Sequence, residues 1–171
     1  MTPFNQLGFV VGDVDEAVGY WVDVVGVAPF FVYRDFTLAE CFYEGEPISL
    51  TISVAYGQAG DVQIELVEQH GNTPSPYLGR ASGDAHHVAI WTRDYDPVLE
   101  RYRASGLDEV MRGSASGRSD ERFAYLAPTG PGPMLEVVEV LDAKTEWYRS
   151  IAEAARTYDG TEPVREAAAR T

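Results

Sequence analysis

Four residues of this chain are of types that can hold a divalent cation, and they stand at equivalent places in two halves of the sequence. Gln6 opens an apolar run at residues 4–11, and His87 opens another at 86–92. Glu65 lies within DVQIELVE, and Glu136 within GPMLEVVE. Two carboxylates, an imidazole and an amide carbonyl make a donor set suited to a divalent metal. Glu65 stands between Ile64 and Leu66, and Glu136 between Leu135 and Val137. A carboxylate on an inward strand face is costly unless it is paired or metal-bound. The plainer account is that strands alternate, so a lone strand glutamate ordinarily faces solvent. The repeat-related pairing of all four residues is what weighs against it.

That pairing comes from a repeat. A shift of 81 residues lays QLGFVVGDVD, from Gln6, on HVAIWTRDYD, from His87. Asp13 falls on Asp94 and Asp15 on Asp96. Each half reads as a strand, a helix and then further strands. In the first, a helix at 13–25 has Asp13 as N-cap, Glu16 completing an acidic capping box, and Gly26 as its stop. Ala17, Tyr20, Trp21 and Val24 give its apolar face. Strands are expected at 30–38, 40–43, 49–56 and 61–68. In the second half a helix at 94–105, with Val98, Leu99 and Tyr102 on one face, ends at Gly106. Strands are expected at 110–113, 122–126 and 134–140. If the halves pack about a pseudo-two-fold axis, Gln6, Glu65, His87 and Glu136 converge.

The divisions follow. Residues 1–142 read as one domain, with module one at 4–69, a Gly-, Pro- and Ser-rich connector at 70–85, and module two at 86–141. Residues 143–171 read as a C-terminal helix at about 144–158 and a mobile tail at 160–171. Trp147, Ile151 and Tyr158 on that helix are candidates for a contact with the domain or with a second copy in a homodimer.

Composition narrows the function. Asp plus Glu number 27 against 13 Lys plus Arg, a formal charge of −14 over 171 residues. Such a surface disfavours nucleic acid and anionic membranes, which demand a basic face. The one cysteine, Cys41, excludes an internal disulfide framework and reads as a strand residue, not a nucleophile. MTPFNQLGFVVGD shows no secretory signal, and no run reaches transmembrane length, so the default location is cytoplasmic.

The stretches NQLGFVVGDVDEAV, DVQIELVEQ, AHHVAIWTRDYD and PMLEVVEV together resemble the vicinal oxygen chelate superfamily, over about residues 4–141. That family includes glyoxalase I, methylmalonyl-CoA epimerase, extradiol dioxygenases and bleomycin-resistance proteins. The resemblance implies an α+β fold of two tandem βαβββ modules forming a cupped eight-stranded mixed sheet. It places the four metal positions on Gln6, Glu65, His87 and Glu136, with one divalent ion (Zn, Ni, Co or Mn). His86 is expected to point away from the site. Gln6 stands where the epimerases usually carry His, so the set is similar to that of eukaryotic-type glyoxalase I and disfavours a ring-cleaving dioxygenase. The basic residues that glyoxalase I uses for glutathione are not recognisable.

The resemblance implies a lyase or isomerase. A proton would move at a carbon α to a carbonyl, through an enediolate stabilised by the metal. By the same resemblance Glu136 is the first candidate base, Glu65 the second, and Glu46, in YEGEP, a third across an alignment gap. The substrate would be a small, partly apolar molecule. The contrasting reading is a metal-free protein that sequesters a small hydrophobic molecule. About half of Phe30, Phe31, Tyr33, Phe42, Tyr43, Trp91, Phe123 and Tyr125 are expected to line the cup. Arg80, Arg118 and Arg122 are the basic residues considered for an anionic group.

Overall fold

Alternation along QLGFV turns Gln6, Gly8 and Val10 to one buried face and makes strand β1 (Gln6–Val10). The computed structural model describes residues 4–117 and 121–167. After β1 come helix α1 (Val14–Tyr20), continued by a π-helical turn (Trp21–Val25), and strands β2 (Phe30–Thr37), β3 (Glu40–Tyr43), β4 (Glu46–Pro47), β5 (Thr51–Ala59) and β6 (Val62–His70). Then follow β7 (Asp84–Thr92), α2 (Tyr95–Ala104), β8 (Glu109–Ser114), β9 (Arg122–Leu126), β10 (Met134–Glu139), α3 (Asp142–Arg156) and β11 (Val164–Glu166).

Asp13 caps the first helix and Gly26 ends it, as the sequence predicts. Asp13 Oδ1 accepts from the N–H groups of Asp15 and Glu16, each at 2.9 Å. Glu68 Oε2 accepts from the Val14 N–H at 2.9 Å, so a strand carboxylate also caps the helix. Gly26 closes the π turn with φ of 83°, a left-handed conformation that favours glycine. The buried face of α1 is Val14 and Val18, with Ala17 and Trp21 packed against the same cluster. Tyr20 and Val24, expected on that face, are exposed: Tyr20, two residues after Val18, faces the other side of α1, and Val24 lies in the π turn, which changes the helical register.

The described strands form one mixed sheet in the order β11-β2-β5-β6-β1-β7-β10-β9-β8-β3-β4. β1 and β7 pair antiparallel at its centre, and each has a parallel neighbour, β6 and β10 respectively. The eight strands from β2 to β8 in that order are the expected cup. Three others were not foreseen in their places. The 40–43 segment, predicted within the first half, crosses to pair with β8, from Glu40 opposite Ser114 to Tyr43 opposite Met111. β4 pairs only with β3, at the sheet's end.

The third addition overturns the mobile tail. β11 lies parallel to β2, tied by Phe30 N–H to Pro163 O at 2.8 Å and Ala167 N–H to Val32 O at 2.9 Å. Arg34 secures it, donating to Glu166 at 3.0 Å and to Asp15 at 2.7 Å. Residues 168–171 lie outside the described residues.

Two apolar layers hold the sheet. On the convex side α1 covers Phe30, Val32, Ile64 and Leu66, and α2 sets Tyr95 and Leu99 on Ala124, Leu126 and Val137. On the concave side Val10, Leu38, Cys41, Leu50, Ile52, Val54 and Met111 form a cluster. α3 packs on the concave side too. Its Tyr148 and Ile151 meet Ala89 and Val138, which share a strand face with His87 and Glu136. The stripe Lys144, Trp147, Tyr148 and Ile151 follows helical spacing. α3 therefore closes one end of the cup with residues of its own chain. Among the described residues, no helix is long and apolar enough to cross a membrane.

Candidate metal centre

Glu65 on β6, His87 on β7 and Glu136 on β10 converge on the floor of the cup. One ligand atom from each lies within 4.8 Å of the others. His87 Nε2 stands 2.9 Å from Glu65 Oε2 and 3.4 Å from Glu136 Oε2. All three residues are buried, His87 completely. Gly8 makes the ring's position possible: a Cβ there would lie 1.9 Å from His87 Cε1. The imidazole thus occupies space that only a glycine on β1 leaves open.

The donor atoms fit a cation. Glu65 Oε2 and His87 Nε2 are close, yet neither makes a well-aligned hydrogen bond within the protein. Two buried polar atoms are left turned toward shared space, which is costly without a third partner. An oxygen–nitrogen–oxygen set with that defect suits a divalent ion. Gln6 belongs to the same cup floor, fully buried, and its Nε2 donates to Gln63 Oε1 at 2.8 Å. With the amide N–H so engaged, the Gln6 carbonyl is the end left to act as a donor toward the cup.

Charge inside the cup is tuned by burial. Burial pushes Glu136 up to about 7, with His87 opposing the rise and Glu65 adding to it. Burial also works to lower His87, but the Glu136 and Glu65 carboxylates outweigh it and raise its pKa. Burial holds Tyr56, Tyr77 and Tyr125 well above the ordinary phenol range, helped by the same two carboxylates, so all three stay neutral.

His86 does not point away. Along β1 and β7, Gly8 faces His87 but Phe9 faces Ala85, so His86 is the extra residue of a β-bulge. The bulge cancels one step of alternation and sets both histidines on the concave side. His86 Nδ1 lies 3.0 Å from His87 Nδ1, and both rings pack against Tyr125. Burial, aided by the charges of His87 and Arg80, lowers the His86 pKa to about 3, so it remains neutral.

Glu46 is not brought to this centre. It is exposed on β4 at the end of the sheet, and lines none of the space around Glu65 and Glu136. Cys41 is buried, and burial pushes its thiol up to about 11, in keeping with a packing role. Of the arginines considered for an anion, Arg122 binds Glu139 and Asp96 at 2.9 Å each, Arg80 reaches the Pro76 carbonyl, and Arg118 lies outside the described residues.

Several lining residues escaped the sequence reading. Tyr77, in the segment taken as a surface connector, is buried in the cup, and its hydroxyl donates to that of Tyr125 at 3.0 Å. Phe36 and Tyr56 also line the space, as do Lys144 and Tyr148 from α3. The α3 stripe was a usable signal, since Lys144 stands one turn before Trp147 and Tyr148. Of the predicted aromatics, Tyr33, Phe123 and Tyr125 line the cavities, while Phe30 packs beneath α1.

A cupped mixed sheet with strand-borne oxygen and nitrogen donors on its floor defines the structural class. Residues 5–125 match the Glyoxalase/Bleomycin resistance protein/Dioxygenase superfamily, and the chain belongs to it. A curated relative, the uncharacterized protein YqjC of Bacillus subtilis (strain 168), is 22% identical over 151 residues, covering 86% of this chain and 97% of its own. Among solved structures, the hypothetical protein BH1468 from Bacillus halodurans C-125 superposes with a TM-score of 0.58 at 17% identity, covering 82% of this chain and 96% of that one. Methylmalonyl-CoA epimerase from Mycobacterium tuberculosis gives 0.54 at 18%, covering 84% and 91%. A variant of 4-hydroxymandelate synthase from Streptomyces coelicolor gives 0.52 at 17%, covering 82% of this chain and 38% of that one. These likenesses are of fold.

Proposed function

We propose that this protein is a metal-dependent lyase or isomerase that moves a proton at a carbon α to a carbonyl, on a small and partly apolar substrate. The observation that carries the reading is the convergence of Glu65 Oε2, His87 Nε2 and a Glu136 oxygen in a buried cup, two of them without an aligned partner. Glu65, His87 and Glu136 would hold the ion, with the Gln6 carbonyl as a fourth donor. A bound divalent ion supplies Lewis-acid stabilisation of the negative charge that grows on the substrate oxygen when the α-proton leaves.

The chain's own residues supply the rest. Burial raises the pKa of the Glu136 carboxyl in the metal-free chain, so it holds a proton more readily than an exposed glutamate. It is the proposed base. Glu65 approaches the same His87 Nε2, so a second carboxylate is at hand to return the proton, which suits an isomerase. Tyr56 and Tyr125 remain phenols beside these carboxylates and can donate to whichever oxygen carries charge. The apolar walls exclude water, which strengthens each of these interactions. The proposed functional unit is residues 1–142, with α3 closing it.

The test begins with metal content. Protein purified without added metal is analysed, then supplied with Zn²⁺, Ni²⁺, Co²⁺ or Mn²⁺, beside His87→Ala and Glu136→Ala. About one ion per chain, lost in both variants, is expected. Deuterium exchange at the α-carbon of 2-oxo and 2-hydroxy acids and acyl thioesters then reads the chemistry. A wild-type protein that takes up none of these metals contradicts the reading.

A further inference from the structure

The donors of the metal centre differ in what orients them. His87 has the His86 ring against its second nitrogen. An amide is a harder case. Its two ends are nearly the same size, but one is a carbonyl acceptor and the other carries two N–H donors. Turned one way, Gln6 offers a cation an oxygen; turned the other way, it offers hydrogens that repel the cation. Whatever binds one end of this amide therefore decides whether Gln6 is a ligand.

That end is bound by Gln63. The two glutamines stand opposite each other where β1 and β6 run parallel. Alternation puts Gln6 on the face of Gly8, and Gln63 on the face of Glu65. The backbone fixes both: Asn5 O accepts from the Gln63 N–H at 3.0 Å, and the Asn5 N–H donates to Ala89 O at 2.8 Å. Gln6 Nε2 then donates to Gln63 Oε1 at 2.8 Å. Gln6 lines the space over Glu65 and Glu136, whereas Gln63 does not. Gln63 stands behind Gln6, and its action on the centre passes through that side chain.

Two observations separate Gln63 from a residue that merely fills the core. Its own Nε2 is buried and has no partner among the described residues. A buried N–H left unpaired is costly, and an apolar side chain would fill the same volume without that cost. The repeat supplies the comparison. Met134 on β10 pairs with His87 on β7 as Gln63 on β6 pairs with Gln6 on β1, across parallel strands in both cases. Where the donor is an imidazole, the position behind it is apolar. Where the donor is an amide, the position carries a carbonyl acceptor, and the unpaired N–H comes with it.

We infer that Gln63 is a positioning residue of the metal centre. Its carbonyl takes the Gln6 N–H and so turns the Gln6 carbonyl toward the ion held by Glu65, His87 and Glu136. The inference rests on the metal-dependent reading above and adds what makes a neutral amide a fixed ligand.

Competition with a chelator for Zn²⁺ on the full chain tests this, beside melting of the metal-free protein. Gln63→Met reproduces the pairing found at Met134. It should weaken Zn²⁺ by about tenfold or more, as losing the partner behind a metal ligand does. The metal-free melting temperature should hold or rise, because the unpaired N–H is gone. Gln63→Glu keeps an acceptor oxygen and should restore most of the affinity. In the Co²⁺-loaded protein, the visible absorption of Gln63→Met should match that of Gln6→Ala. Adding Gln63→Met to Gln6→Ala should cost no further affinity. Zn²⁺ affinity unmoved by Gln63→Met, or an undiminished loss on top of Gln6→Ala, overturns the inference and leaves the metal reading standing. Affinity and metal-free melting temperature that fall together, with no repair by Gln63→Glu, overturn it as well. A wild-type chain that binds neither Zn²⁺ nor Co²⁺ removes both. Zn²⁺ affinity that follows Gln63 as expected, with no deuterium exchange at the α-carbon of 2-oxo and 2-hydroxy acids or acyl thioesters, removes the proton-transfer chemistry and keeps the inference.

Discussion

His86 Nδ1 lies 3.0 Å from His87 Nδ1, so one of these nitrogens must carry the proton and the other must accept it. If His87 Nδ1 donates, His87 Nε2 is left as a lone pair facing Glu65 and Glu136. The neutral His86, its pKa lowered to about 3, is suited to be that acceptor. Replacing His86 with Phe keeps the ring packing and removes the acceptor. Metal affinity, read by competition with a chelator, should fall about 10–100-fold, the usual effect of losing a partner behind a metal-bound histidine. His86→Gln, which retains an acceptor, should recover part of it. Unchanged affinity in His86→Phe would leave the bulge a packing feature only.

Stability without metal should fall as pH rises above neutrality. Glu136 has its pKa raised from 4.5 to about 7, so the folded chain keeps a proton that the unfolded chain has released. That stabilisation is complete below the unfolded value and is lost as pH rises through about 7. His87, also raised, acts in the same sense. His86 acts oppositely, but between about 3 and 6.5. Between pH 6.5 and 8 the first pair therefore dominates. In chelator, the melting temperature should be lower at pH 8 than at 6.5, and Glu136→Gln should flatten the difference. A melting temperature that climbs across this interval contradicts the assignment.

Gly8→Ala is expected to disable the centre from the neighbouring strand. The added Cβ would sit 1.9 Å from His87 Cε1 and 2.3 Å from Nε2. The ring must move, at an overpacking cost of about 1–3 kcal/mol. Metal content should drop along with the melting temperature. A stable variant with full metal occupancy would show that His87 has another position available.

Arg34→Ala should release the C-terminal strand without unfolding the rest. Arg34 joins Asp15 and Glu166, each more than half exposed. Exposed pairs contribute about 0–1 kcal/mol. The global melting temperature should barely change, while limited proteolysis near residues 160–167 should accelerate several-fold. Equal cleavage rates would place the hold on β11 in its backbone ladder alone.

The parts of the site legible in the sequence are those fixed by repetition. The repeat pairs Gln6 with His87 in the opening strands and Glu65 with Glu136 in the closing strands, and the three ionisable residues do meet. Glu46 failed because its placement depended on a gap, and that gap holds the β3–β4 hairpin. His86 failed because alternation is a local rule, and a bulge depends on what the partner strand does. Tyr77 sits in a segment of loop composition, yet its ring reaches a buried hydroxyl partner. The tail looked mobile because Val164–Glu166 is too short to announce a strand and gains its order only from the edge of β2.

The crossing of β3 to the far side of the sheet bears on how a ligand enters. Thr37 ends β2 near one margin of the sheet, and Glu40 begins β3 near the other, with only Leu38 and Ala39 between. Leu38 N–H bonds to Leu50 O at 2.9 Å, and Ala39 N–H to Ala115 O at 3.3 Å. The two halves are thus stitched together at the rim as well as along β1 and β7. Swinging apart like a clamshell would break ladders at both seams. With both seams held by ladders, the wall of the cup beside Glu136 that no ladder ties down is α3, held on the sheet by side-chain packing of Trp147, Tyr148 and Ile151.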